Sequence, residues 1–360
     1  MLDTIVKRWF PSLALSVVMV GTSFPKSNVQ TEMKISDPIN FELTPRCVGR
    51  FMLSLPTMAA MSGRASIQGV EFDAQLMPEE RFEIFLDERA NSIRQTKSKY
   101  KYSYADGEAG SKGTRYFITL GDPNSLSDGT RLIEAYKWDR GYLIKLWSNA
   151  FDWTDSVYKE HPLYKNNPIK SNLQEKTRVV GALLARVQGR AHNNVPSGPG
   201  VCFLGGFLPG SATNSERIQN FFVLQDHPDV TINVTTDSGI KEADSLLQRA
   251  KEIEQMIKAT PGGRTLRKGV VELPDELIAE EWLISGTMPS GVLGNIFHLE
   301  GNSLTGSALN PLITLNLHNG GTSPDATPEA RPSHSSLSES EAIALWDAVS
   351  RTLRPRPNGF

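Results

Sequence analysis

The sequence predicts an α+β protein of two similar modules, each with an antiparallel-rich sheet and two packed helices. Three observations support this. The chain has 360 residues, which suits two domains at roughly 150 residues each. The order strand, strand, helix, several strands, helix occurs twice. Both copies also open on a glycine-bearing strand with one cysteine, Cys47 in the first and Cys202 in the second. Duplication is the economical explanation, with chance likeness between two mixed domains as the alternative.

The first module is predicted to span residues 31–192. Apolar residues alternate through 41–55 and again through 66–76, the period expected of strands. Pro78, followed by two acidic residues, is typical of a helix start, and an apolar stripe at helical spacing follows it. The remaining predicted elements are strands at 115–120, 132–138 and 142–147, and a helix from about Asn172.

The second module is predicted to span residues 199–360, after a linker at 192–200 that is rich in Asn, Pro and Gly. A strand at 201–208 opens it, and Ser338 begins its last helix, which Pro355 stops. The elements predicted between them are strands at 220–224 and 229–235, a helix at 241–258, and strands at 269–273 extending toward 282–285, at 295–300 and at 312–318.

Residues 1–23 resemble a secretory signal peptide. Lys7 and Arg8 precede an apolar stretch at 9–20, and small residues follow at 21–23, which is the usual order of such a segment. Pro11 interrupts the stretch, and it is short for a membrane span of about 20 residues. We therefore expect export without a stable membrane span. A mildly apolar, disordered N-terminus behind a misassigned start codon is the alternative.

The chain contains two cysteines, and both follow this segment. In an oxidising compartment Cys47 and Cys202 could form one disulfide that links the two modules. Two buried free thiols that pack as small apolar side chains are an equally good interpretation.

Composition argues against several classes of ligand. The formal net charge is −2, whereas a nucleic-acid binder normally carries a basic excess. The six histidines are scattered without ligand-like spacing, so no metal or other cofactor is expected. His298 and His318 lie in neighbouring predicted strands and could meet, but we expect both to face solvent.

Common catalytic motifs are missing, so we expect no catalytic residues. The nearest string to a nucleophile elbow, at 109–113, lies in a polar stretch with no strand before it. Zinc-helix, phosphate-loop and dinucleotide-binding signatures do not occur. The carboxylate pairs Glu79-Glu80 and Glu280-Glu281 are predicted to cap helices or lie in exposed turns, with glycosidase-type chemistry as the less favoured alternative.

The segment 148–164 is the best candidate for a protein-binding surface. It interleaves aromatic and acidic residues, as binding hot spots do. The candidate contact residues are Phe151, Trp153, Tyr158 and Tyr164. The alternative is that this loop folds back and buries those rings over the sheet, which is the commoner fate of large aromatic side chains.

Two strings carry a family resemblance: the run from Cys47 to Phe51, continuing to Pro56, and the run from Gly198 to Cys202, followed by Gly205-Gly206-Phe207. They resemble the immunity proteins that bacteria encode beside type VI secreted lipase effectors of the fourth phospholipase family. The resemblance extends over nearly the whole chain after residue 23, as an N-terminal and then a C-terminal immunity domain.

The resemblance implies a non-catalytic periplasmic protein that binds a phospholipase toxin and keeps it inactive. It transfers no interface residue. We hypothesise that the two modules act as two jaws on the toxin, which would raise avidity. An envelope hydrolase with an unrecognised site and a non-catalytic envelope adaptor are the alternatives from other classes.

Overall fold

The computed structural model describes residues 41–97, 104–107, 113–122, 124, 127–166, 170–321 and 333–360. The signal-peptide prediction for 1–23 lies outside these residues, as does most of the 109–113 loop. Within the described ranges, no helix is both long enough and apolar enough to cross a membrane.

The first half of the chain, residues 41–190, contains nine strands and three helices within its described residues. They are β1 Leu43–Val48, β2 Phe51–Pro56, β3 Ala59–Ile67, β4 Val70–Leu76, α1 Glu79–Gln95, β5 Tyr104–Gly107, β6 Thr114–Leu120, β7 Thr130–Asp139, β8 Tyr142–Phe151, α2 Pro162–Lys165, α3 Leu173–Arg186 and β9 Gln188–Gly189.

The second half, residues 191–360, repeats much of that order within its described residues. Its elements are β10 Gly200–Phe203, β11 Gly206–Pro209, β12 Glu216–Leu224, β13 Thr231–Asp237, α4 Ala250–Ala259, β14 Arg264–Glu272, β15 Ile278–Thr287, β16 Leu293–Gly301, β17 Leu312–Asn319, α5 Glu339–Ser350 and β18 Arg354–Pro355.

One antiparallel sheet of twelve strands runs through both halves. Its order is β14-β15-β16-β17-β13-β12-β3-β4-β8-β7-β6-β5. The halves join where β3 pairs with β12, from Ala59 opposite Leu224 to Ile67 opposite Glu216. Outward from this junction, the six strands of each half follow the same order. The sequence predicted a sheet for each module, and the pairing of β3 with β12 instead makes one continuous sheet.

Two β-hairpins cross between the halves. The first hairpin, β1 and β2, pairs with β18 from the end of the chain. The second hairpin, β10 and β11, pairs with β9 from the end of the first half. Each three-stranded sheet therefore combines strands from both halves.

The side chains of each hairpin also pack against the other half of the chain. Phe51 of β2 meets Phe360 edge to face, with ring centroids 5.7 Å apart, and β2 also contacts α5. Phe203 of β10 meets Phe72 of β4 at 5.4 Å, and β11 contacts α3. All three of Phe51, Phe72 and Phe203 are at most 3% exposed. Each hairpin thus completes the apolar packing of the half to which it does not belong in sequence.

The hairpins meet at a disulfide between Cys47 and Cys202, whose Cα atoms lie 5.8 Å apart. The sequence left open a disulfide or two buried free thiols, and the structure contains the disulfide. Beside it, the Gly49 and Cys202 backbones exchange two hydrogen bonds of 2.8 Å. Gly49 has a φ of +60°, and a Cβ there would lie 2.3 Å from Thr236 Oγ1. This close approach requires glycine.

Three sequence-based strand predictions were wrong. The segments 41–55, 66–76 and 201–208 were each predicted as one strand, but a turn divides each of them. The turns use Gly49, Gly69 and Gly205, all at positive φ. Their flanking apolar residues keep the alternating pattern across the turn, so periodicity alone does not locate it.

The helix predicted at 241–258 begins only at Ala250. The carboxylate of Glu280 accepts hydrogen bonds from the Leu247 amide at 2.7 Å and the Ser245 hydroxyl at 3.0 Å. The Glu242 amide donates to the Ser303 carbonyl at 2.8 Å. These partners hold 242–249 in turns, so tertiary contacts override the helical spacing.

The two closing helices confirm the sequence prediction. Helix α3 starts directly after Asn172. Helix α5 starts after Ser338, whose side chain and that of Glu341 form a reciprocal capping box, which satisfies two otherwise free helix amides. Trp346 and Val349 on α5 are at most 1% exposed, so this helix packs one face into the core.

We predict that Phe203→Ala loosens the first half of the chain, although Phe203 belongs to the second. Loss of this buried ring should cost about 3–5 kcal/mol of unfolding free energy, measured by urea titration. Hydrogen exchange should quicken in β4 and α3, which contact the second hairpin, and remain slow in β15. Faster exchange confined to residues 216–319 would contradict this.

Candidate partner-binding surface

The loop after β8 is fixed by a buried carboxylate. Asp128, 5% exposed, accepts a hydrogen bond of 2.5 Å from the Ser156 hydroxyl and one of 2.8 Å from the Val157 amide. The Ser156 hydroxyl in turn accepts from the Tyr158 amide at 3.1 Å. Asp128, which lies before β7, therefore holds the loop at 156–158, while Val157 is 72% exposed.

The aromatic residues at the start of this loop form a small layered stack. The rings of Phe151 and Trp153 are stacked, with centroids 6.3 Å apart and an interplanar angle of 11°. Trp153 lies directly against Gly129, where an added Cβ would come within 2.1 Å of its ring. The Phe151 backbone amide donates a hydrogen bond to Asn172 Oδ1 at 2.8 Å, and the Trp153 amide donates one to Ser171 Oγ at 2.9 Å.

The predicted contact residues are therefore neither fully buried nor fully exposed. Phe151, Trp153 and Tyr158 are all partly buried. Tyr164 lies in the short helix α2, and its side chain is outside the described part of the chain. The role of these four residues in binding remains a prediction. We name Phe151, Trp153, Val157 and Tyr158 the N-half patch.

A second loop with exposed apolar residues lies at the same end of the sheet. All neighbouring strands are antiparallel, and β17 is five steps from β8 in the strand order. The two strands therefore run in opposite directions, and the end of β8 lies on the same side as the start of β17. The loop at 302–311, just before β17, presents Leu304 and Leu309, which are 42% and 66% exposed.

This second loop is also ordered by hydrogen bonds. The Ala308 amide donates to Asn214 Oδ1 at 2.8 Å, and Asn302 Nδ2 donates to the Pro311 carbonyl at 3.2 Å. Gly306 approaches Ile240 so closely that a Cβ would lie 2.0 Å from its carbonyl oxygen. We name Leu304 and Leu309 the C-half patch. Its signal in the sequence is two isolated leucines in a stretch of turn-forming residues, which sequence reasoning missed.

The two patches are well separated along the sheet. Five steps at about 4.8 Å per strand put the ends of β8 and β17 about 24 Å apart. This span fits two contact areas of one protein interface, which usually buries about 800 Å² on each partner. Both loops are held in place before any partner arrives, so little ordering entropy would be lost on binding.

Comparison with known proteins identifies the family. The model for the Tle cognate immunity protein 4 N-terminal domain matches residues 44–190, and the model for its C-terminal domain matches residues 194–358. The chain belongs to the Tle cognate immunity protein 4 family. The family resemblance expected from the two cysteine–glycine strings is thus confirmed. The comparison with curated proteins finds no match.

Several solved structures share the fold of this chain. A chain of the Tle4–Tli4 complex is 22% identical, with a TM-score of 0.67. The apo immunity protein TplEi of the type VI secretion system (T6SS) from Pseudomonas aeruginosa is 21% identical, with a TM-score of 0.66. TplEi complexed with an "L" peptide is 20% identical, with a TM-score of 0.63. Each match covers 88% of this chain and 98% of the other.

The chain belongs to a family of immunity proteins and is not an enzyme. Its buried carboxylates are bound by structural hydrogen-bond partners. Glu281 was predicted to lie in an exposed turn or helix start, but it is 2% exposed. It accepts hydrogen bonds from Trp346 Nε1 at 2.9 Å, Arg351 Nη1 at 3.0 Å and Arg267 Nε at 2.7 Å. Burial raises the pKa of Glu281, but these donors outweigh it and hold the pKa below its ordinary value. The prediction was wrong because Trp346 of α5 and Arg351 after it, both distant in sequence, bind this carboxylate.

The histidine prediction was also wrong for His298, which is 6% exposed. Its Nδ1 lies 2.5 Å from Asn316 Oδ1 and its Nε2 lies 2.9 Å from Glu300 Oε1. Burial raises the pKa of Glu300, and the opposing interactions with His298 and Arg249 lower it to about 2. Both ring nitrogens are engaged, so the cluster holds strands β16 and β17 together. Within the described ranges, no group of three or more His, Cys, Asp and Glu residues is arranged to hold a metal ion.

We predict that His318 makes stability depend on pH. Burial, and then nearby His298, lower the pKa of His318 from 6.5 to about 4. Between these values the unfolded chain binds the proton more readily, so the free energy of unfolding falls as the pH drops through this window. We expect a loss of up to about 3 kcal/mol, measured by urea titration at about pH 7 and pH 4.

His318→Gln should reduce that pH dependence, since it removes the titrating ring. His192→Gln is the control, because burial, Arg190 and Arg46 also lower the pKa of His192 and give a contribution of the same sign. The contribution of Glu300 is lost as the pH falls from about 4.5 toward about 2, so most of it is still present at pH 4. Equal pH dependence in wild type and His318→Gln would contradict the assignment.

Proposed function

We propose that this protein protects its cell by binding and neutralising a type VI secreted lipase effector. The observation that carries the proposal is the match of both immunity-domain models, over 44–190 and 194–358. The solved relatives named as the Tle4–Tli4 complex and as T6SS immunity protein TplEi support it through their common fold. Inhibition would be non-covalent, by occupying the surface that the effector needs for its substrate.

We propose that the protein acts in the periplasm. Two features support this location. Residues 1–23 have the order of a basic start, an apolar stretch and small residues that export signals share. Cys47 and Cys202 form a disulfide, and disulfides persist in oxidising compartments such as the bacterial periplasm.

We further propose that the chain consists of two copies of one module. The equal strand order on the two sides of the β3–β12 junction supports a duplication, as do the closing helices α3 and α5 that follow the last sheet strand of each half. Each half would contribute one contact area, the N-half patch or the C-half patch. Linked contacts raise the overall affinity because the second forms at high effective concentration.

We predict that the purified chain forms a stable complex with the lipase effector encoded beside it and abolishes its lipase activity. Val157→Asp and Leu309→Asp should each weaken the complex at least tenfold, because a charge replaces an exposed apolar contact. Titration calorimetry would measure the dissociation constants, and lipid hydrolysis would measure inhibition.

Leu293→Asp is the matched control for Leu309→Asp. Leu293 is 60% exposed, close to the 66% of Leu309, but it begins β16 and so lies at the opposite end of the strands. The control should bind normally. No complex with the effector would refute the proposed function. A complex weakened by the control and not by the other two variants would place the contact at the opposite end.

A further inference from the structure

The crossed hairpins share only short strand pairings with the rest of the protein, supplemented by single backbone hydrogen bonds such as those from Arg356 N to the Arg50 carbonyl and from Arg190 N to the Gly205 carbonyl, both 2.9 Å. The first hairpin pairs with β18 at two positions, Met52 opposite Arg354 and Phe51 opposite Pro355. The second pairs with β9 at two positions, Phe207 opposite Gln188 and Gly206 opposite Gly189. By contrast, β3 and β12 pair over their full length. Short pairing gives a segment a low free energy of local opening.

These hairpins nevertheless cover the junction of the two halves. Strand β1 contacts β12 and β13, and β10 contacts β3 and β12. Arg50, in the first hairpin turn, donates to both carboxylate oxygens of Glu216 at the start of β12, at 2.7 and 2.8 Å. Detachment of the hairpins would therefore remove the layer that packs across the β3–β12 junction.

Two buried arginines bind the segment between the halves and the second hairpin. Arg356, which follows α5, donates to the carbonyls of Pro196, Gly198 and Gly200 at 2.6–2.8 Å. Arg190, which follows α3, donates to the carbonyls of Phe203 and Gly206 at 3.1 and 3.2 Å. Two arginines thus replace the missing sheet pairing, and both bind carbonyl groups, which hold a guanidinium less strongly than a carboxylate does.

The disulfide is the one covalent connection between the two hairpins. Cys47 is 3% exposed and Cys202 is fully buried. It also closes a long loop, with a sequence separation of 155, and cross-links of long loops are expected to constrain the unfolded chain most. The two hairpins, whose strand pairings to the rest of the fold are short, are therefore also joined covalently to each other.

We infer that the hairpins form an oxidation-dependent clasp. Both thiols are oxidised: each loses a proton and they share the new S–S bond, while two electrons pass to an exchanging disulfide, which is reduced to a dithiol. The oxidised clasp holds the two hairpins across the β3–β12 junction, which joins the half that bears the N-half patch to the half that bears the C-half patch. In the reduced chain the hairpins open locally more often and the β3–β12 junction beneath them loosens, while the outer strands of the sheet persist. The consequence for the effector rests on the proposed function.

Hydrogen exchange of the full chain tests the clasp without any partner. In a Cys47→Ala/Cys202→Ala variant, amide exchange in residues 47–56 and 200–209 should be at least tenfold faster, with β7 and β8 unchanged. Wild type reduced by a dithiol reagent should behave in the same way, and its thiols should become reactive toward an alkylating reagent before the sheet opens. Reduced wild type keeps both native side chains and so supports the test if the variant fails to fold.

The matched control is Ile313→Val, a core substitution in β17 at a fully buried position. It should lower overall stability without singling out the hairpins. Unchanged exchange in the hairpins of the reduced protein, or an increase spread evenly over all strands, would overturn the clasp.

The functional consequence has a separate readout. Reduced wild type should bind the lipase effector at least tenfold more weakly than oxidised wild type. Equal affinities would refute the link between the clasp and binding, whatever the exchange result. Failure of the oxidised protein to bind would count against the proposed function and would leave the exchange experiment unaffected.

Discussion

The structure depends on the crossing of two short hairpins at the junction of its two halves. At this crossing, Gly49 and Cys202 exchange backbone hydrogen bonds, Cys47 and Cys202 are bonded, and Arg50 pairs with Glu216 at 3% and 8% side-chain exposure. Removing one partner of such a buried ion pair strongly destabilises a protein, because the other charge is left buried without a counter-charge. The crossing thus makes each half incomplete without the other, and the shared sheet follows from the same arrangement.

This arrangement brings loops from both halves of the chain to one end of the sheet. Strands that alternate in direction bring the loop after β8 and the loop before β17 to the same end of the sheet. They are not corresponding loops of the two halves, because strand direction reverses at the β3–β12 junction. Under the proposed function, the protein would therefore offer its partner two different contact areas, which is an advantage for recognising an asymmetric enzyme.

Local signals predicted the parts of the fold that depend on neighbouring residues. The start of α5 after Ser338 and the start of α3 after Asn172 both follow from nearby sequence. The features that the sequence analysis missed depend on residues that are distant in sequence. The late start of α4 depends on Glu280, and the burial of Glu281 and His298 depends on α5 and on β17. No periodicity within a segment shows that β3 will pair with β12. For the candidate site, the aromatic loop was found by its composition, whereas Leu304 and Leu309 stand in a loop that only the strand order brings to the same end.

The most direct test of this account is differential scanning calorimetry of the oxidised protein. Because each half is completed by a hairpin from the other, we expect a single transition whose van't Hoff enthalpy equals the calorimetric enthalpy. Independent domains would instead melt separately. Two resolved transitions, each with about half of the total enthalpy, would contradict the claim that the crossed hairpins make the two halves one cooperative unit.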